Sequence, residues 1–245
     1  MTDPSFLNDE PFPSEGALPS GGSSPSGGSF LSGGSFLGGE SFLSDEPVIA
    51  VVRAPRIPDA AALCAALAEG GINLTEFTYT TPDVTSHLER ASKAGWRVGV
   101  GTVLTAEQAE RGMAAGASFL VTPGCRPEVA EAGRSAGVPV VLGALTPTEV
   151  ARAVDLGAAA VKIFPARAFG PGYFKDLRGP YPEVRLVASG GVNAGNAAEF
   201  LAQGALAVCA GTDVVPPEVV AAGDWAEITR RARVFTEACA AAPAR

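Results

Sequence analysis

The chain has 245 residues, of which 47% are hydrophobic and 18% charged, and a mean hydropathy of +0.21. This is enough apolar material for one barrel or two small domains. The formal charge of −8 is concentrated in residues 1–47, which hold seven acidic residues and no Lys or Arg. A near-neutral body with an acidic tail lacks the basic surface that binding to nucleic acid or to an anionic membrane requires.

Targeting signals and metal-binding patterns are also missing from the sequence. No apolar run is long enough to span a bilayer, and no basic segment followed by an apolar stretch opens the chain, which predicts a cytoplasmic protein. The only histidine, His87, excludes sites built from several histidines. The cysteines form no Cys-x-x-Cys pair, which argues against a zinc site and a disulfide framework; they are Cys64, Cys125, Cys209 and Cys239.

Residues 1–47 are predicted to be a disordered tail, because 26 of these 47 residues are Gly, Ser or Pro. Four Ser-Phe-Leu units occur in this tail, and the last three begin six residues apart at Ser29, Ser35 and Ser41. One interpretation is a linker expanded by repeat slippage. The other is a multivalent docking peptide for a repetitive partner, such as the inner face of a protein compartment. Its contact residues are Phe30, Leu31, Phe36, Leu37, Phe42 and Leu43.

Residues 48–245 alternate short β-branched runs with Ala-rich amphipathic runs. The predicted strands are Val48–Val52, Asn73–Thr78, Arg97–Val100, Phe119–Thr122, Val138–Leu142, Ala159–Phe164, Arg185–Ala188 and Leu206–Ala210. The predicted helices are Asp59–Glu69, Asp83–Ala94, Ala106–Ala115, Pro127–Ala136, Pro147–Leu156, Tyr173–Leu177, Ala194–Gln203 and Trp225–Ala240. Eight such units predict a (β/α)₈ TIM barrel, whose site lies at the carboxyl ends of the strands. An open doubly wound sheet is the alternative, but no Gly-x-Gly-x-x-Gly opens the first helix.

Two ionisable residues stand out at the strand ends. Lys162 lies in the apolar strand Ala-Ala-Val-Lys-Ile-Phe, where desolvation favours the neutral amine that attacks a carbonyl to form a Schiff base. Glu76, at the end of the second strand, is a candidate general acid and base. The alternative interpretation for both is a structural ion pair.

Glycine-rich turns follow the last two strands. Ser189, Gly190 and Gly191 follow the seventh strand, and Gly211 with Thr212 follows the eighth. In this fold these loops commonly bind phosphate through backbone N–H groups. The sequence therefore predicts a Schiff-base lysine that faces a phosphate site across the mouth of the barrel.

Together these motifs resemble the family of 2-keto-3-deoxy-6-phosphogluconate (KDPG) and 4-hydroxy-2-oxoglutarate (KHG) aldolases. The matching segments are Pro-Val-Ile-Ala-Val-Val-Arg (47–53), Glu-Phe-Thr (76–78), Gly-Val-Gly-Thr-Val-Leu (99–104), Val-Thr-Pro-Gly (121–124), Leu-Thr-Pro-Thr-Glu (145–149), Val-Lys-Ile-Phe-Pro-Ala (161–166), Ser-Gly-Gly-Val (189–192) and Ala-Gly-Thr (210–212). The segment Ala-Phe-Gly-Pro-Gly-Tyr (168–173) resembles the 2-keto-3-deoxy-6-phosphogalactonate (KDPGal) branch.

The resemblance implies a class I aldolase that forms pyruvate and glyceraldehyde 3-phosphate, as a homotrimer without a metal or cofactor. It makes Lys162 the Schiff-base residue and Glu76 the general acid and base. The implied substrate contacts are Arg53, Thr78, Thr102, Pro123, Phe164, Ser189, Gly190, Gly191, Gly211 and Thr212. The alternatives are another phosphate-binding barrel, such as an isomerase or synthase, and a weakly catalytic barrel that assembles through its tail.

Two features depart from the family pattern. Many members carry an Arg four residues after the catalytic Glu, where it binds the substrate carboxylate, and this chain has Thr80 there. Many members also begin with a helix that covers the base of the barrel. Here the long C-terminal helix is predicted to cover that surface.

Overall fold

Eight short strands alternate with helices in the computed structural model, which describes Leu43 and residues 46–242. The strands are β1 (Val48–Val52), β2 (Leu74–Thr78), β3 (Val98–Gly101), β4 (Leu120–Val121), β5 (Val140–Ala144), β6 (Ala160–Ile163), β7 (Leu186–Ala188) and β8 (Ala205–Ala210). The helices are α1 (Ala60–Glu69), α2 (Val84–Lys93), α3 (Ala106–Ala114), α4 (Pro127–Ala136), α5 (Pro147–Asp155), α6 (Gly172–Arg178), α7 (Ala197–Ala202), α8 (Pro217–Ala222) and α9 (Trp225–Ala240). All strand pairs are parallel, and β8 pairs with β1 to close the barrel. The predicted TIM barrel is confirmed.

Local signals in the sequence explain where several helices begin. Asp59 accepts hydrogen bonds from the N–H groups of Ala61 and Ala62, which caps α1. Thr146 and Glu149 form a reciprocal capping box at the start of α5. These caps satisfy N–H groups that a helix leaves unpaired at its first turn.

Alternation along each strand separates the barrel interior from the layer beneath the helices. In β1, Ile49 faces the interior, whereas Val48 and Ala50 pack beneath the helices. Glu76 follows two residues after the interior Leu74, and Lys162 two residues after the interior Ala160. Period-2 alternation therefore directs both ionisable side chains into the barrel.

Leu43 closes the base of the barrel. Its side chain is 3% exposed and belongs to the interior cluster with Ile49, Leu74 and Phe119. Leu43 is therefore not available as a docking residue in this structure, which corrects that part of the predicted peptide. The prediction for α9 is also wrong, because α9 packs beside α1 and α7 in the outer ring of helices.

The remaining predictions for the tail concern residues 1–42, which lie outside the described part of the chain. At the start of the described range, the Glu46 carboxylate accepts a hydrogen bond of 3.1 Å from the Asn73 side chain. Leu43 and Glu46 thus contact the barrel although they precede the predicted boundary at residue 47. Among the residues that the structure describes, no helix combines the length and apolar character needed to cross a membrane.

Candidate active site

A cavity of about 590 Å³ opens at the carboxyl ends of the strands. Most of the residues predicted for the site line it, namely Arg53, Glu76, Thr102, Lys162, Phe164, Ser189, Gly190, Gly191, Gly211 and Thr212. A larger groove of about 710 Å³ lies outside the barrel between α1 and α9 and contains none of the predicted site residues. The strand-end cavity is therefore the candidate active site.

Glu76 is a buried carboxyl without a hydrogen bond. Its side chain is 1% exposed, and neither oxygen has a hydrogen-bond partner among the described residues. Burial raises the pKa of Glu76, and the positive charges of Lys162 and Arg53 oppose this rise. A carboxyl group in this environment can hold a proton at a higher pH than a solvated one, as a general acid requires.

Strand β3 makes room for this carboxyl group because both of its interior positions are glycine. A Cβ atom at Gly101 would lie 1.7 Å from Oε1 of Glu76. A Cβ atom at Gly99 would lie 2.3 Å from the Phe119 ring, which fills the interior below. The Val-Gly-Val-Gly sequence of β3 thus accommodates one aromatic ring and one catalytic candidate.

Lys162 presents an amine without a fixed partner to the same cavity. Its side chain is 7% exposed, and its Nζ lies 5.5 Å from the centroid of the Phe164 ring. Within residues 46–242, Nζ forms no ion pair within 4.0 Å and no hydrogen bond. The structural ion pair considered for Lys162 and Glu76 is therefore absent from the described region.

Thr102 and Arg53 lie on the side of the cavity next to Glu76. Thr102 directly follows β3 and has a φ of +56°, in the left-handed region that non-glycine residues rarely adopt. Such a backbone is held only when the surroundings enforce it, and it is concentrated at functional sites. Arg53 is exposed at the rim after β1, and its charge reaches Glu76.

The opposite side of the cavity is built from backbone. Gly190 and Gly191 have φ values of +87° and +86°. The Gly190 carbonyl accepts a hydrogen bond from the N–H of Arg167, and the Gly191 carbonyl accepts one from the Asn196 side chain. In the part of the chain described, the N–H groups of Gly190, Gly191 and Thr212 donate to no protein acceptor. These donors suit an anion.

Two predicted substrate contacts, Thr78 and Pro123, do not line the cavity. The Thr78 hydroxyl donates to the Val52 carbonyl at 3.1 Å and lies 2.9 Å from the Thr80 hydroxyl. The backbone of Pro123 packs against Gly143, where a Cβ atom would come within 2.2 Å of it. Both residues therefore support neighbouring strands from outside the cavity.

The cavity also contains residues that the sequence analysis did not select, namely Arg167, Asn193, Cys209, Asp213 and Arg231. Cys209 could have been found from strand periodicity, because it lies two residues after the interior Ala207 of β8. Arg231 could not, because it lies on α9, far along the chain from the strand ends. Its Nη1 donates to the Asp213 carbonyl at 3.1 Å and its Nε to Glu227 at 2.8 Å.

Burial also affects Cys209 in the barrel interior. It raises the pKa of the Cys209 thiol to about 11, although the Lys162 charge acts in the opposite direction. A thiol in this state is protonated at neutral pH and is a poor nucleophile. Among the described residues, no group of three His, Cys, Asp or Glu side chains could hold a metal ion.

Comparisons with known proteins identify the family of the barrel. The family model for KDPG and KHG aldolases matches residues 40–231. A 2-dehydro-3-deoxy-phosphogluconate aldolase of Treponema pallidum is 40% identical over 185 residues, which cover 74% of this chain and 88% of that protein. A probable 2-dehydro-3-deoxy-6-phosphogalactonate aldolase of Rhizobium meliloti is 33% identical over 184 residues, 74% of this chain and 86% of that protein.

A solved structure gives the same result. The KDPG aldolase of Legionella pneumophila, with pyruvate captured as a covalent carbinolamine, superposes with a TM-score of 0.73 and 31% identity, over 79% of this chain and 95% of that one. These matches span nearly the whole barrel and its cavity. The chain therefore belongs to the family of KDPG and KHG aldolases, which are lyases.

Proposed function

We propose that the protein is a class I aldolase that cleaves KDPG or KDPGal to pyruvate and glyceraldehyde 3-phosphate. The observation that carries this proposal is that one cavity contains the Lys162 amine and the buried Glu76 carboxyl group, neither of which has a hydrogen bond or an ion pair within the described residues. An isomerase or synthase that only binds phosphate has no need of such an amine. The pyruvate captured as a covalent carbinolamine in the Legionella aldolase supports the same chemistry.

The reaction begins when the neutral Lys162 amine attacks C2 of the keto acid and forms a carbinolamine. Protonated Glu76 gives its proton to the carbinolamine hydroxyl group, which leaves as water, so that a protonated imine and the Glu76 carboxylate remain. Glu76 takes the proton of the C4 hydroxyl group as the C3–C4 bond breaks, and the bonding electrons pass to the imine to give an enamine. Glyceraldehyde 3-phosphate leaves, C3 of the enamine takes a proton from Glu76, and water hydrolyses the pyruvate imine.

The charges of the cavity suit a substrate with a carboxylate and a phosphate group. Four basic side chains and two acidic ones line it among the described residues, namely Arg53, Lys162, Arg167 and Arg231 against Glu76 and Asp213. Thr80 is exposed and lies outside the cavity. Thr102 and Arg53, which line the cavity, therefore bind the substrate carboxylate. The free N–H groups of the Gly190–Gly191 loop take the phosphate.

A steady-state assay of KDPG and KDPGal cleavage, coupled to pyruvate detection, tests this function. Lys162→Arg abolishes turnover because guanidinium stays protonated and cannot attack. Lys93→Arg is the matched control, since Lys93 is exposed and pairs with Glu89 at 3.3 Å. Pyruvate release by Lys162→Arg at the wild-type rate, or no cleavage of either acid by the wild type, contradicts the proposal.

We also propose a homotrimer, on the ground of the family likeness, and a docking role for the tail. With Leu43 buried in the barrel, the docking residues reduce to Phe30, Leu31, Phe36, Leu37 and Phe42. Light scattering tests the trimer. Changing Phe30, Phe36 and Phe42 together to Ser tests the tail, because it leaves cleavage intact and removes co-purification with a compartment shell. If the wild type and the triple variant co-purify with the same proteins, the tail is only a linker.

A further inference from the structure

Arg167 lies directly over the glycine loop that closes the phosphate side of the cavity. It belongs to the short 3₁₀ turn Ala166–Ala168 that follows β6. Its N–H donates to the Gly190 carbonyl at 3.0 Å, which fixes its backbone to the loop. A Cβ atom at Gly191 would come within 2.6 Å of the Arg167 Cβ, so the arginine stem occupies the space that glycine leaves.

The guanidinium group of Arg167 is uncommitted. Within the described residues it forms no ion pair and no side-chain hydrogen bond. The other arginine on this side, Arg231, is held by Glu227 and by the Asp213 carbonyl. Arg167 is therefore the basic side chain here whose donors are all available to a ligand.

Asp213 increases the need for such a cation. It lines the same side of the cavity, and its Oδ2 accepts a hydrogen bond of 2.9 Å from the N–H of Ala194. Backbone N–H groups alone would bind a phosphate dianion beside this negative charge poorly. A guanidinium over the loop offsets the repulsion and adds a planar pair of donors that fits phosphate oxygens.

We propose that Arg167 binds the phosphate group of the substrate over the Gly190–Gly191 loop and determines the preference for phosphorylated keto acids. This inference rests on the proposed function. It assigns to the chain a side-chain phosphate contact in addition to backbone donors. The competing interpretation is that Arg167 is a surface residue that only packs on Gly191.

Arg167→Met separates the two interpretations because methionine keeps the apolar stem over Gly191 and removes the charge. Arg178→Met is the matched control. Arg178 also packs over a glycine with positive φ, since a Cβ atom at Gly204 would lie 2.5 Å from its Cδ, but it lies outside this cavity. The two variants therefore remove the same kind of charged group from the same kind of packing, and they differ in position relative to the site.

The measurement compares kcat/KM for cleavage of a phosphorylated acid and of unphosphorylated 4-hydroxy-2-oxoglutarate. Arg167→Met lowers kcat/KM for the phosphorylated acid by about 10- to 100-fold, mainly through KM, because the charge-assisted hydrogen bonds to phosphate are removed. The loss with hydroxyoxoglutarate is at least ten times smaller, and Arg167→Lys recovers part of the affinity. Equal losses for both substrates, or no loss for the phosphorylated acid, overturn the assignment.

Binding of inorganic phosphate keeps this test independent of the proposed function. Calorimetric titration at constant ionic strength gives weaker phosphate binding to Arg167→Met than to the wild type and to Arg178→Met. If the wild type cleaves neither acid, the aldolase proposal fails while the phosphate titration still decides the role of Arg167. Equal phosphate affinity in all three proteins overturns that role.

Discussion

Replacing Gly101 by Ala moves the Glu76 carboxyl group without changing its chemistry. The added Cβ atom would lie 1.7 Å from Oε1 and 2.4 Å from Cδ, whereas ordinary contact begins near 3.4 Å. The carboxyl oxygen must therefore withdraw by about 1.7 Å from the position that it occupies in the barrel. A displacement of about 1 Å at a reacting group costs about 10²-fold in rate, so we expect at least that loss in kcat.

The fold should survive this substitution. Overpacking of a buried position costs about 1–3 kcal/mol, which is less than the total stability of a typical domain. Gly172→Ala serves as the control, because a Cβ atom there meets nothing within 4 Å and Gly172 lies outside the cavity. The assay is steady-state cleavage together with a urea melt. A kcat for Gly101→Ala within threefold of the wild type refutes the reasoning that the position of Glu76 is critical.

Three further predictions concern burial. Burial raises the pKa of Glu76 in the folded protein above its usual 4.5. The wild type therefore loses folding stability as the pH rises from 4.5 through the folded-state pKa, because the buried carboxyl group must give up its proton. In urea melts, the stability of Glu76→Gln relative to the wild type should increase over this pH range. A constant difference with pH would contradict this. Leu43→Ala should cost about 2–5 kcal/mol in the same melts and the more exposed Leu104→Ala much less, so equal losses would place Leu43 outside the core. Thiol labelling of the native protein at pH 8, followed by peptide mass spectrometry, should modify the half-buried Cys125 before Cys209. Cys209 reacts more slowly because burial raises its thiol pKa to about 11. The reverse order would mean that the barrel interior is open to solvent.

Strand and helix positions could be predicted from the sequence because each unit carries a strong local signal. Apolar runs such as Val48–Val52 can be read as buried strands, and α9 has the bounds that its sequence pattern predicts. The short helix α8 could not be predicted in this way, because its six residues carry too few turns for a periodic pattern. The interior direction of Glu76 and Lys162 likewise follows from strand alternation.

Contacts between distant parts of the chain could not be predicted from local signals. Leu43 ends a segment rich in Gly and Ser, which is typical of a tail, and only the closed barrel shows that its interior needs an apolar side chain at the base. Arg167 and Arg231 reach the cavity from a 3₁₀ turn and from an outer helix, where no local pattern marks them. Conversely, Thr78 is predicted to contact the substrate because it is a polar residue at a strand end, but its hydroxyl group donates to the Val52 carbonyl instead.

Borohydride reduction in the presence of pyruvate tests most directly the central claim that Lys162 forms an imine with the substrate. Reduction converts the imine to a stable secondary amine, so peptide mass spectrometry can locate it among the three lysines of the chain. We predict one reduced pyruvyl adduct, on the peptide that contains Lys162, and its disappearance in Lys162→Arg. An adduct on Lys93 or Lys175, or no adduct under conditions in which the enzyme releases pyruvate, would contradict the mechanism.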